Sequence, residues 1–218
     1  MTTPSLDDQA RVFAEDISHL LNGTVTNGIR VSAVVATGRS TVVVGLGVTR
    51  RKFDPQPIPL TLTAKAPRAW LRVGYVLQMD PEGIHLAVAK SDYSLYLDEP
   101  CDQMLFHYDY DRAPANDYPQ AHFQINGMCP GFETLCQRAE RPVKELKDFH
   151  FPVGGRRYRP TLEEVIEFLV IERLADARPG WKGVVAGHRD LWEERQLRAA
   201  VRRHPDVARD QLREDQTL

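Results

Sequence analysis

The sequence predicts an α+β fold: a mostly antiparallel, strongly bent sheet of meander type, flanked by an N-terminal helix and two C-terminal helices. Three observations lead there. Apolar residues at helical spacing follow a capping signal at the N-terminus, a long middle stretch alternates with period two, and the helical period returns after Thr161.

Taken in order, Ser5 and Asp8 make a capping pair in front of Leu6, Phe13, Ile17, Leu20 and Leu21, and Asn22-Gly23 reads as the stop of a helix of about four turns. Ile29, Val31, Ala33 and Val35 then share one face of a strand. Gly38-Arg39-Ser40 turns the chain into Thr41 to Thr49, which is rich in β-branched residues. Pro55, Pro57 and Pro59 stiffen the next connection because proline lacks the ladder donor. Further strands are expected at Leu60–Thr63, Trp70–Met79, Ile84–Val88 (after the turn Asp80-Pro81-Glu82-Gly83), Tyr93–Leu97, Met104–Asp111 and Ala121–Ile125.

Past Pro130 the chain becomes polar, with a short helix and a loop expected to Lys147 and an extended piece at Phe149–Phe151. Thr161 and Glu164 form a capping box before Val165, Ile166, Leu169 and Val170, in a helix expected to reach about Ala175. Trp181 to His188, with Gly183 and Gly187, reads as a surface loop. Asp190 with Glu193 reads as the cap of a last helix, and the charged tail from His204 is expected to fray. The whole, 1–218, reads as a single domain; the alternative divides it near Glu99-Pro100 into a β-rich lobe, 1–100, and a lobe carrying the candidate site, 101–218.

Composition narrows the function classes. Of 218 residues, 42% are hydrophobic and 27% charged, which excludes a wholly disordered chain. Lys and Arg number 28 against 30 Asp and Glu, so no global positive field recruits nucleic acid and any anion site is local. Apolar runs such as Val42-Val43-Val44-Gly45-Leu46 fall far short of the roughly 20 residues that cross a bilayer. Residues 1–8 have neither the basic nor the apolar segment of a signal peptide, and Cys101, Cys129 and Cys136 have no metal-like spacing. A cytoplasmic protein with no membrane partner is expected.

Reactive side chains are densest between residues 107 and 159. Alternation puts His107, Asp109 and Asp111 on one face of their strand and Phe106, Tyr108 and Tyr110 on the other; His122, Gln124 and Asn126 share a face of the next strand. Aligned, the two polar faces bring His107 or Asp109 beside His122 or Gln124. His150 precedes Gly154-Gly155-Arg156-Arg157, and Arg159 stands before the capped helix. Imidazole transfers protons near neutrality, a neighbouring carboxylate fixes its tautomer, and guanidinium grips phosphate through paired donors. The candidate catalytic residues are therefore His107, Asp109, His122 and His150, with Gln124, Arg156, Arg157 and Arg159 holding substrate in a metal-independent cleavage of a phosphodiester.

A polar strand face turned to water gives the same alternation, and a hairpin turn with solvated arginines gives the same Gly-Gly-Arg-Arg string. A metal on His107, Asp109, Asp111 and His122 is the rival chemistry. Ligands two apart on one strand lie about 7 Å from one another, too far for three to share one ion, so no metal and no cofactor are expected. Arg195, Arg198, Arg202 and Arg203 complement the C-terminal dipole of the last helix or, alternatively, the first three form a face for RNA or a partner.

The segment 106–174 resembles the TumE-like toxins of bacterial toxin–antitoxin systems. The likeness rests on Tyr108-Asp109-Tyr110-Asp111, on His122-Phe123-Gln124 after a loop, and on the capped helix Thr161-Leu162-Glu163-Glu164-Val165-Ile166-Glu167-Phe168-Leu169. It implies an RNA-cleaving, growth-inhibiting toxin or phage-defence ribonuclease, with Asp109 and His122 at the catalytic positions and RNA and a cognate antitoxin as partners. Gln124 stands where that family has a second histidine, with His150 as the substitute. The first hundred residues have no counterpart there and read as a sensing, antitoxin-binding or dimerising part. The alternative function is a non-catalytic protein-binding component of such a system.

Overall fold

Leu6–Thr24 forms the first helix, α1, with the expected cap: Ser5 Oγ accepts from the Asp8 amide and the Asp8 carboxylate answers Ser5. The computed structural model describes residues 4–35, 40–63, 66–154 and 159–215. α1 does not stop at Asn22-Gly23. Asn22 instead donates to the Ile29 carbonyl (2.6 Å) and accepts from the Ile29 amide (2.8 Å), pinning the entry to the first strand, and the Thr24 carbonyl caps onto the Arg178 amide. Gly23 marks a close helix contact, because a Cβ there would lie 3.0 Å from Val184.

The strands are β1 (Val31–Val35), β2 (Thr41–Leu46), β3 (Ile58–Pro59), β4 (Trp70–Met79), β5 (Leu86–Tyr96), β6 (Met104–Asp111), β7 (Ala121–Ile125) and β8 (Phe151–Pro152). They form one antiparallel sheet in the order β1-β2-β4-β5-β6-β7-β8, with β3 paired to β4. The expected strand Leu60–Thr63 does not form: the pairing with β4 lies just before it, in the two-residue β3 at the end of the proline-rich connection. The segments expected at Ile84–Val88 and Tyr93–Leu97 belong to one long β5, bent by a register shift opposite Val76 and Leu77. Glu99-Pro100 lies in the turn between β5 and β6, which pair directly, so the sheet runs unbroken across it.

α2 (Pro130–Arg138) and a 3₁₀ turn (Leu146–Asp148) occupy the polar stretch. α3 (Leu162–Ile171) carries the Thr161 and Glu164 capping box and ends four residues before Ala175, where the Glu172 amide caps and Arg173 takes a positive φ. The expected loop 181–188 is helical: α4 runs Trp181–Arg203 from Gly180, at φ 80°, so Asp190 lies inside it and caps nothing. Gly183 and Gly187 are poor helix formers, but Val185 is buried and Trp181 and Val184 pack on the core, and that burial overrides local propensity. Nor does the tail fray at once. Pro205, suited to a first helical position, opens α5 (Pro205–Asp215).

One face of the sheet packs on α1, α3 and α4. It presents Leu71, Val73, Tyr75 and Leu77 from β4 and Tyr93 and Leu95 from β5 to Leu20, Leu21, Val165, Ile166 and Leu169. The opposite face is polar, and a loop bearing Pro55 leans onto it. Gly45 and Gly74 are cross-strand partners beneath that proline, and a Cβ on Gly45 would lie 2.7 Å from Pro55 and 3.1 Å from the Val73 carbonyl. Gly45→Val is therefore expected to destabilise the protein by about 1–3 kcal/mol through overpacking, read as a lowered unfolding midpoint in urea at unchanged slope.

Candidate functional site

β6 and β7 pair in the register that aligns their polar faces. Asp109 stands opposite His122, and His107 opposite Gln124. His107 Nε2 lies 3.4 Å, and His122 Nε2 3.7 Å, from the same carboxylate oxygen, Asp109 Oδ2. His122 Nδ1 donates to the Pro119 carbonyl at 3.1 Å, which sets the tautomer whose Nε2 faces Asp109. His107 Nε2 donates to Gln124 Oε1 at 2.5 Å, and the Gln124 amide nitrogen donates to the Lys147 carbonyl. The Met104 sulfur stands 3.2 Å behind His107 Nδ1.

His150, just before β8, brings its ring to 4.6 Å from that of His122, and Tyr118 stacks on it at 3.6 Å. All four candidate catalytic residues and Gln124 thus converge. Asp109, His122, Gln124 and His150 open on a trough of about 800 Å³ over the polar sheet face, walled by Phe53, Asp54 and Pro55 on one side and by the 114–119 loop on the other.

The arginines do not all join. Arg159 lies on the helix-covered face, its guanidinium 5.0 Å over the Tyr110 ring and 3.5 Å from Ser91 Oγ, so the sheet separates it from the imidazoles. Its expected role with them is corrected by strand parity: Ser91 and Tyr110 pair in register and point to the opposite face from Asp92 and Asp109. Arg156 and Arg157, with Gly155, fall outside the described residues. The chain enters that stretch from Val153, whose amide bonds the Ala121 carbonyl beside His122. Arg195 pairs with Asp16 of α1 and Arg198 with Glu194 one turn back, while Arg202 and Arg203 stand in the last turn of α4.

Strand spacing does not hold these ligand groups apart as expected. One ligand atom each from His107, Asp109 and His122 lies within 4.8 Å of the other two, because the third ligand arrives across strands and the side chains lean together. Asp111 instead pairs with Lys90 at 2.7 Å.

Two further residues belong to the site. Asp92 of β5 is the cross-strand neighbour of Asp109 and is held by Arg72 (3.2 Å) and Ser94 (2.7 Å). The alternation Lys90-Ser91-Asp92-Tyr93-Ser94 signals its polar face, but only the pairing places it beside Asp109. Tyr118 sits in a loop with no periodic signal. Burial raises the Asp109 carboxyl to about 6; His107 opposes this and Asp92 reinforces it. Burial, and then the neighbouring His122, lower His150 below the ordinary imidazole range.

The raised Asp109 value has a stability consequence. A carboxyl whose native pKa exceeds its unfolded value of 3.8 binds protons more tightly when folded, so its penalty is absent below about pH 4 and grows as pH rises to about 6. With chelator present, Asp109→Asn is expected to melt higher than the parent protein at pH 8, with the difference fading toward pH 4. A variant equally or less stable at pH 8 contradicts the assignment.

No family model matches the chain, and neither a curated protein nor a solved structure does.

Proposed function

We propose that the trough is the active site of an RNA-cleaving enzyme, with His150 as the proton-transfer group and His107, Asp109 and His122 as the cluster against which the reacting phosphate sits. The observation that carries this reading is the approach of both Nε2 atoms to one Asp109 oxygen, with the His150 ring against His122 at the edge of an open trough. A polar strand face that merely meets water has no need of this convergence, which strains a carboxylate beside Asp92.

The chemistry follows from the groups. A depressed imidazole is neutral at pH 7 and able to accept a proton, and the Tyr118 stack fixes its ring plane. His150 takes the proton of a ribose 2′-hydroxyl, that oxygen bonds to phosphorus, and the bond to the 5′-oxygen breaks. The leaving oxygen takes a proton from solvent in the open trough, and the product is a cyclic phosphate. The resemblance to RNA-cleaving toxins supports the substrate class, and the open shape suits a single strand better than a duplex. Tyr118 offers an aromatic surface for an unstacked base.

Purified protein is expected to cleave single-stranded RNA. His150→Ala and His122→Ala are each expected to lower the rate by about 10²–10⁴-fold, with circular dichroism confirming an intact fold. Expression in bacteria is expected to arrest growth and degrade RNA for the parent and not for His122→Ala. Equal cleavage and growth arrest by the parent and both variants would remove the proposal.

A further inference from the structure

A site that binds a phosphodiester has to meet its negative charge, and the described walls of the trough supply little for that. They carry Asp54, Asp92, Asp109 and Asp111 against only Arg72 and Lys90. Arg72 is engaged by Asp92 and Asp54, and Lys90 by Asp111. Such a wall repels a bare polyanion and attracts a small cation.

The polar cluster has the matching geometry. In a tetrahedral site with metal–ligand bonds of about 2.0–2.1 Å, neighbouring ligand atoms stand about 3.3–3.4 Å apart. The two imidazole–carboxylate separations are 3.4 and 3.7 Å. Each imidazole presents Nε2 to the shared oxygen and has an outer partner behind Nδ1: the Pro119 carbonyl for His122 and the Met104 sulfur for His107. A backbone carbonyl in the place of Pro119's orients metal-binding histidines. For His107 to ligate, the proton on Nε2 moves to Nδ1, facing Met104, and the bond to Gln124 Oε1 opens. The Gln124 amide is anchored on Lys147, so its oxygen stays turned to the site, where a metal-bound water would find an acceptor.

We infer that His107, Asp109 and His122 bind one divalent transition-metal ion, of the class of Zn²⁺ or Mn²⁺, with an open position facing the trough. Two imidazoles and one carboxylate with open positions suit such ions and not Mg²⁺ or Ca²⁺, which prefer all-oxygen sets. As a deepening of the proposed RNA cleavage, the inference rests on that reading for its role: the cation supplies the positive charge that Arg159, across the sheet, does not. Binding itself is measured without RNA.

The test uses the full chain, stripped with EDTA and exchanged into chelator-free buffer. Titration with ZnCl₂ is followed by calorimetry, and added Co²⁺ by visible absorption. One saturable Zn²⁺ per chain and the intense Co²⁺ bands of a four-coordinate site are expected. Asp109→Asn, His107→Ala and His122→Ala, shown folded by circular dichroism, are each expected to lose both signals, whereas His204→Ala, at the exposed end of α4, keeps them. Absence of saturable binding by the folded parent, or parent-like affinity in all three variants, overturns the inference. Binding without RNA cleavage leaves the metal site standing and removes the nuclease; cleavage undiminished in EDTA by a protein that binds no Zn²⁺ does the reverse.

Discussion

The pairing register of β6 with β7 is the constraint on which the site depends. Asp109 faces His122 and His107 faces Gln124 because five consecutive residue pairs, from Phe106 with Ile125 to Tyr110 with Ala121, align in antiparallel order. A slip of β7 by one residue would send His122 and Gln124 into the helix-covered layer and turn Phe123 toward the trough. The apolar face thus secures the polar one. Phe106, Tyr108 and Phe123 pack ring against ring, at centroid separations of 4.6 to 5.8 Å, and that contact holds the imidazoles in place from the other side of the sheet.

The same division of faces explains why a trough exists. Helices α1, α3 and α4 cover one side with a continuous apolar layer, and the other side is left to loops. Where Pro55 reaches the sheet, two facing glycines, Gly45 and Gly74, make room for its ring. At the far side, Pro119 accepts from His122 and Tyr118 lies on His150, so the 114–119 loop both walls the trough and orients its histidines. The price is electrostatic: Asp92 and Asp109 face one another across β5 and β6, and among the described residues only the first has a guanidinium beside it. Retaining a half-buried carboxylate beside two imidazoles, with no cationic partner among the described residues, makes sense for a site whose ligand brings positive charge.

Strong periodic signals were readable in the chain before folding. β4, β6 and β7 occupy the stretches that alternation marks, and both capping boxes, at Ser5 and at Thr161, form as their residues predict. Weak local signals misled where burial decided. Asn22-Gly23 looks like a terminus, yet Gly23 stays helical because α4 needs close approach through Val184. Gly183 and Gly187 look like a loop, yet α4 passes through them, since its first turns bury Val185. Leu60–Thr63 has strand composition but no partner strand in register; only Ile58 and Pro59 pair with β4.

For the site, sequence alone determined which residues share a strand face, because the two-residue period follows from covalent geometry: His107 with Asp109, and His122 with Gln124. It also determined that positive charge would be local and scarce, from a composition balanced at 28 basic against 30 acidic residues. Tertiary structure alone decided how far apart those groups stand. Residues two apart on one strand lie about 7 Å from one another along the backbone, but the His107 side chain leans along β6 to Asp109 and pairing brings His122 from a strand about 4.8 Å away, so two imidazoles meet one carboxylate oxygen. It also decided that Arg159 is across the sheet and His150 beside His122, since distances between residues far apart in sequence depend on sheet order and strand parity, which no local pattern encodes.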